Sequence, residues 1–553
     1  MKYNIIKVPI PLSRLKPLNI RVGLALGIGC GILVALAGCG KGGFSEKTVA
    51  GQENMLRYPL SSNPTSLDPA VVEDGDTIDV LQQIYEGLVR WGTDNSIQPN
   101  LASSWEIIHG GTTYIFHLRK DVKFSNGTPF TANAMKSSIE RSCDPEVRSP
   151  TASEYLSNIV GVDDRLAGKA DSVAGVKVID DNTLEIDLVK VAPYFLGDLT
   201  YPNTFAVCPS SVPAHQQITS ISQMVGTGPF DASKYVEDQV FQMNSNPNYW
   251  DGKPSIDGII RPIVKDAQTR LNLFKANQID ILDLQRQDVK SLQADPVLSK
   301  DLKFQPRAAT WYVAFNLKMY APFGDRRVRR AFSMAIDTNS IVKNVLDGIN
   351  TVATGILPPG VLGFRTHTAI ITYDPAKAKE LLAQAGFPDG SKMPPLKLYF
   401  RTDVEDIKLV AEAVQNYLKK NLDVNVTLTP MDWVTYLSQN DKSMLPFYHM
   451  RWGADYLDPQ DFLSLLLTTN GADNKQYYSN PQVDQLCARA DAMPQESPQR
   501  LALYARAEDL ILQDAAWLPI FFQRDVQLVN PRVHGLREMI LGMLPHSKVS
   551  ITH

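Results

Sequence analysis

The sequence predicts an α/β protein of mixed α+β character, divided into more than one domain. Three observations carry this. Short apolar or alternating runs at 55–60, 114–119, 396–400 and 518–522 read as strands. Between them lie stretches with apolar residues at helical spacing, bounded by capping residues. The 553 residues are 44% hydrophobic, with 36 Pro and 34 Gly. That is an ordinary globular composition, long enough for roughly two to four domains.

The first 38 residues hold Lys2, Lys7, Arg14, Lys16 and Arg21, no acid, and an apolar run over 22–38. A basic segment followed by an apolar one is the layout of a secretory signal. A spanning helix is the competing reading, and the run falls just short of the ~20 residues it needs. The run ends in Leu36-Ala37-Gly38-Cys39, which resembles the bacterial lipobox. That resemblance implies a lipoprotein signal peptide over 1–38, an acylated Cys39 as the new N-terminus, and a polar tether over 39–52. Acyl chains anchor by burying about 0.8 kcal/mol per CH₂. Loss of the five basic residues would take the net charge from −4 to −9. Such an acidic chain lacks the basic footprint of a nucleic-acid binder. Gly38, Gly40 and Gly43 spell GxGxxG, but the match straddles the expected cleavage point and opens no helix, so no dinucleotide site is read there. Of the five Cys, Cys143, Cys208 and Cys487 belong to the mature chain. They lie far apart, without metal-ligand spacing, and are expected as buried thiols.

Further on, 78–89 has apolar residues at helical spacing: Ile78, Leu81, Ile84, Tyr85 and Leu88. Asn126-Gly127 marks a turn, and Thr131 is placed to cap the helix after it. Asp325 caps a helix with Val328, Ala331, Phe332 and Ala335 inward, leaving Arg326, Arg327, Arg329 and Arg330 as a solvated face. Asp374-Pro375 starts a helix that Gly386 stops, and Ser497-Pro498 starts another. In 447–463, five aromatic residues surround a Gly-containing turn at Trp452-Gly453-Ala454-Asp455. Gly453 has no Cβ and admits backbone or ligand closely. Asp455 there reads either as a solvated turn residue or as a partner for a ligand's amino group.

Enzyme constellations are missing: there is no GxSxG, HExxH or GxxxxGK[ST]. The eight His are scattered, and 73–76 lacks a full calcium-loop pattern, so no catalytic residue, metal or cofactor is expected.

The stretch Lys120-Asp121-Val122-Lys123-Phe124-Ser125-Asn126-Gly127-Thr128-Pro129-Phe130 resembles the signature of the family 5 extracellular solute-binding proteins. These are the oligopeptide- and dipeptide-binding subunits of ABC importers. Tyr85-Glu86-Gly87-Leu88, Gly226-Thr227-Gly228-Pro229-Phe230, Asn246-Pro247-Asn248-Tyr249-Trp250, Gln278-Ile279-Asp280, Phe315-Asn316, 323–337 and 452–459 are further landmarks in the family's order. The resemblance implies a two-lobed periplasmic-binding-protein-like fold with an additional inserted subdomain. Lobe I would comprise 53–77, 201–305 and 523–553, the subdomain 78–200, and lobe II 306–522.

It also implies a function: a lipid-anchored, monomeric protein on the extracytoplasmic face that takes peptides in an interlobe cleft and delivers them to an ABC permease. No catalysis and no nucleic acid are implied. Asp455 matches the family's partner for the peptide α-amine, with Trp452 as an aromatic wall and Gly453 and Ala454 beside it. Glu73, Asp74 and Gly75 lie where relatives offer main chain to the peptide, like an added strand. Arg401 resembles the Arg that clamps the ligand carboxylate in dipeptide binders, where a guanidinium acts bidentately; an exposed strand-end Arg is the other reading. Arg401 points to short ligands and the subdomain to longer ones. The same fold with a nickel chelate, haem, oligosaccharide or opine is the alternative.

Overall fold

The computed structural model describes residues 54–402, 404–495 and 497–552. The expected signal, Cys39 and the tether lie outside the described residues. The fold is mixed α/β and two-lobed, built on three larger sheets.

The first sheet orders its strands Met55–Arg57, Gly258–Pro262, Val240–Ser245 and Phe230–Val236. Its core joins Leu56, Phe230, Phe241 and Ile259 to Val549 from the C-terminal segment. The second is an antiparallel sheet of Ala102–Ile108, Thr113–Leu118, Thr183–Asp187 and Val176–Asp180. The helix Ala132–Ser142 packs on it, its N-terminus capped by Thr131, which accepts from the Ala134 amide.

The third sheet has seven strands and carries the candidate site. Leu302–Phe315 lies at its middle, paired antiparallel with Trp517–Val529 on one side and Phe447–Gly453 on the other. Leu396–Arg401 and Val426–Met431 continue it in parallel. The helix Glu405–Leu422 covers one face because Ile407, Val410, Ala411, Val414 and Leu418 fall on one stripe. The helix Pro498–Asp514 covers the other with Tyr504, Ala507 and Ile511, beside Tyr312 stacked on Trp517 at 3.5 Å. In the two long strands the pairing register breaks between Pro306 and Thr310, opposite Phe522 and Arg524. A proline lacks the amide a ladder needs, so a break there is where the ladder is weakest.

Caps at Asp325 and Asp374 form as expected, and Gly386 follows its helix with φ +97°. Cys143, Cys208 and Cys487 are free and buried.

Three expectations are corrected. The helix expected over 78–89 is Gly75–Leu81 instead. Beyond it, the carbonyls of Gln83 and Ile84 accept from the amides of Phe230 and Gly228, so tertiary pairing replaces another helical turn. Arg329 is not solvated: it is 4% exposed and donates to the carbonyls of Phe323, Asp514 and Ala515. It thereby satisfies the end of the Pro498–Asp514 helix. Finally, Trp452 and Gly453 are not in a turn; they end the strand Phe447–Gly453, and the turn begins at Ala454.

Candidate ligand-binding site

The site grows from the strand Phe447–Gly453. Its side chains alternate, so His449 and Arg451 share one face while Tyr448, Met450 and Trp452 share the other. Gly453 pairs with Ala309, and the Ala454 amide donates to the Ala308 carbonyl at 2.7 Å, which holds the strand's end. Trp452 packs partly buried against the core with Met450 and donates Nε1–H to Asp461 Oδ2 at 3.2 Å.

The loop after the strand is fixed by an ion pair the sequence reading missed. Arg500 holds Asp458 bidentately at 2.7 and 2.9 Å, and the two side chains are 0% and 1% exposed. A buried pair with this geometry pins the loop, because breaking it strands a charge in the core.

Asp455 is half-buried. Tyr155, from the short helix Ala152–Leu156, donates its hydroxyl to Asp455 Oδ2 at 2.6 Å. Burial lifts the Asp455 carboxyl to about 6; Asp473 adds to the rise, while Tyr155 and Arg451 oppose it. Asp461 is fully buried and accepts from the Asp455 amide at 3.2 Å. Burial and the charge of Asp455 push its carboxyl well up. Glu154 lies near enough to feel Asp455, Asp473 and Glu73, and its carboxyl is also pushed well up, chiefly by burial. Asp198, 4% exposed, is raised the same way. Lys475 is paired with Asp473 at 2.7 Å. The rings of Tyr194 and Tyr456 stack at 5.9 Å, and Tyr456 lies so close to Gly197 that a Cβ there would come within 2.7 Å of it.

Arginines flank the strand on both faces: Arg401, two places on from Tyr399, lies on the Tyr448 side, and Arg451 lies on the His449 side. Arg401 stacks on Trp433, its guanidinium carbon 3.7 Å from the ring centre. Arg451 donates to Gln523 Oε1 at 3.3 Å, and Trp311 Nε1–H donates to the same oxygen at 2.9 Å. Burial lowers the Arg451 pKa, and Arg401 and Arg307 lower it further. His449 stacks on Trp311 at 5.4 Å; burial, aided by Arg401, pushes its pKa down to about 3 and keeps it neutral. His449, Trp311, Asp406 and Arg524 help line a cavity of about 120 Å³.

Of the candidate residues in the sequence, Trp452, Gly453, Ala454 and Asp455 come together at this strand end. Glu73 is exposed, and its charge is felt by Glu154. Asp74 is committed to capping, accepting from the Thr77 amide, and Gly75 opens the helix it caps. Arg401 ends the neighbouring strand Leu396–Arg401, on the same face of the sheet as Trp452. Tyr155, Glu154, Asp461, Arg451 and His449 join the site without being among the sequence candidates. Asp461 had a signal: Asp455, Asp458 and Asp461 recur every third residue.

Among the described residues, no helix is long and apolar enough to cross a membrane. A family model for the bacterial extracellular solute-binding proteins, family 5 Middle, matches residues 96–474. The chain is 32% identical to the probable deoxycholate-binding periplasmic protein YgiS of Escherichia coli (strain K12), over 87% of this chain and 90% of that one. It is 31% identical to the periplasmic oligopeptide-binding protein OppA of the same strain, over 88% of this chain and 90% of that one. Among solved structures, the Escherichia coli murein tripeptide binding protein MppA matches with a TM-score of 0.80 and 28% identity, over 92% of this chain and 100% of that one. Its unliganded open form matches at 0.70 and 27%, over 91% and 98%. The relatives matched are solute-binding proteins, not enzymes. The chain belongs to family 5 of the bacterial extracellular solute-binding proteins.

Proposed function

We propose that the protein captures peptides in a cleft between its lobes and delivers them to an ABC permease, held outside the cell by lipid on Cys39. Lobe I comprises 53–77, 201–305 and 523–553, lobe II 306–522, and the subdomain 78–200. The register break between Pro306 and Thr310 supports putting the hinge there. The lobes close as rigid bodies, and ligand acts by favouring the closed population.

One observation carries the peptide reading. The strand Phe447–Gly453 leads into a carboxylate at Asp455, and Arg401, on the neighbouring strand, lies on the Trp452 face of the same sheet. A ligand with an ammonium at one end and a carboxylate at the other suits such a site. Asp455 takes the α-amine, because a charge-assisted bond is roughly twice as strong as a neutral one. Arg401 takes the carboxylate, its plane held by Trp433. The main chain at Gly453, Ala454 and 73–75 pairs with the peptide backbone. The names of OppA and MppA support peptides as the ligand class.

Calorimetry with di-, tri- and pentapeptides, set against deoxycholate, haem, a nickel chelate, an opine and an oligosaccharide, tests this. Tight binding of peptides alone is the expected result; binding of a non-peptide solute with no response to peptides overturns it. Lipidation is tested separately. A clickable fatty acid should label the wild-type chain and not Cys39→Ala.

A further inference from the structure

We propose that the cleft around Asp455 selects peptides carrying two positive charges at the amino-terminal end, with a basic first or second residue. This rests on the peptide reading above and names a ligand class within it.

Three carboxylates meet here, and a single α-ammonium answers only one. Asp461 is 0% exposed. Its Oδ2 accepts from Trp452 and from the Asp455 amide, but Oδ1 is buried with no hydrogen-bond partner. Glu154 approaches from the segment that carries Tyr155, and its Oε1 is likewise buried without a partner. The charge of Asp455 is felt by both Glu154 and Asp461, and that of Glu154 by Asp461.

The cations nearby are engaged elsewhere. Lys475 pairs with Asp473, and Arg451 turns toward Gln523. Leaving a buried acceptor unmade costs the full desolvation of that group, and more for a charged one. One ammonium on Asp455 therefore leaves two acceptor oxygens, Asp461 Oδ1 and Glu154 Oε1, unanswered. A Lys or Arg side chain one or two residues along supplies donors for them, three from an ammonium or five from a guanidinium. Neutral side chains of the same length leave the oxygens unpaired. Discrimination of this kind, by unpaired polar groups, is stronger than discrimination by size.

The test is calorimetry on the purified protein, stripped of co-purified ligand, with two matched pairs: Lys-Ala-Ala against norleucine-Ala-Ala, and Ala-Lys-Ala against Ala-norleucine-Ala. At least one lysine peptide should bind about fivefold or more tighter than its norleucine partner. In Asp461→Asn or Glu154→Gln that ratio should fall by about threefold or more, with thermal melts confirming the fold. A smaller ratio for both pairs in the wild type overturns the proposal and means that the acids are held protonated. So does a ratio that both variants preserve. If none of the four peptides binds, the peptide reading itself fails and takes this one with it.

Discussion

The hydroxyl of Tyr155 and the carboxylate of Asp455 meet at 2.6 Å, although 300 residues separate them. One belongs to the helical segment beside the antiparallel sheet, the other to the loop leaving the seven-stranded sheet. The contact joins the two walls of the proposed cleft.

Closing the cleft should therefore take up protons. Asp455 rises from 3.8 to about 6 in this arrangement, and Asp461 and Glu154 rise with it. Tyr155, Arg451 and Lys475 oppose the rise; Asp473 and burial drive it. An acid with a raised pKa in the closed state is protonated there over a pH window where the open state is ionised. Closure is thus favoured as pH falls through about 6 toward 4, and disfavoured above that window. Small-angle scattering of ligand-free protein should give a smaller radius of gyration at about pH 5 than at about pH 8. No change, or expansion at the lower pH, would contradict this.

Gly197 should be a wedge point. A Cβ there lies 2.7 Å from the Cβ of Tyr456, closer than real side chains approach. Gly197→Leu should hold the walls apart, since overpacking of this kind costs about 1–3 kcal/mol. Peptide affinity should drop by about tenfold or more, with scattering showing a larger particle. Unaltered affinity and size would mean that this contact does not report closure.

Arg401 should read ligand length. Its guanidinium is stacked on Trp433 and close to Arg451. Arg401→Ala should weaken dipeptides by about 2–5 kcal/mol, as for truncating one partner of a buried charge pair, and pentapeptides far less. Equal losses in calorimetry would remove Arg401 from the carboxylate end.

Arg500 should matter for stability rather than for contact with ligand. Arg500→Leu leaves Asp458 buried without its partner, at a cost of about 3–5 kcal/mol. Urea unfolding should show that loss, and the double change to Leu at both positions should recover part of it. A loss below about 1 kcal/mol would mean that the loop is held by other contacts.

Local chemistry was legible in the sequence wherever a residue acts on its neighbours in the chain. Thr131, Asp325 and Asp374 cap the helices they precede. Asp455 stood out because a glycine and a tryptophan flank it within a few residues. What stayed hidden depends on distant partners. The helix over 78–89 stops early because strands near 228 and 230 claim its carbonyls. Arg329 reads as one of four solvated arginines, yet a helix end 185 positions away takes it inward. Tyr155, Glu154 and Arg500 carry no local mark, and only the fold brings them to the 455–461 loop.

The central claim is that Asp455 holds a ligand's amino group. A double-mutant cycle by calorimetry tests it most directly, using one tripeptide with free and acetylated N-termini on wild type and on Asp455→Ala. The account predicts that acetylation costs the wild type about 2–5 kcal/mol and the variant almost nothing. Equal losses in both proteins would show that the amine binds elsewhere.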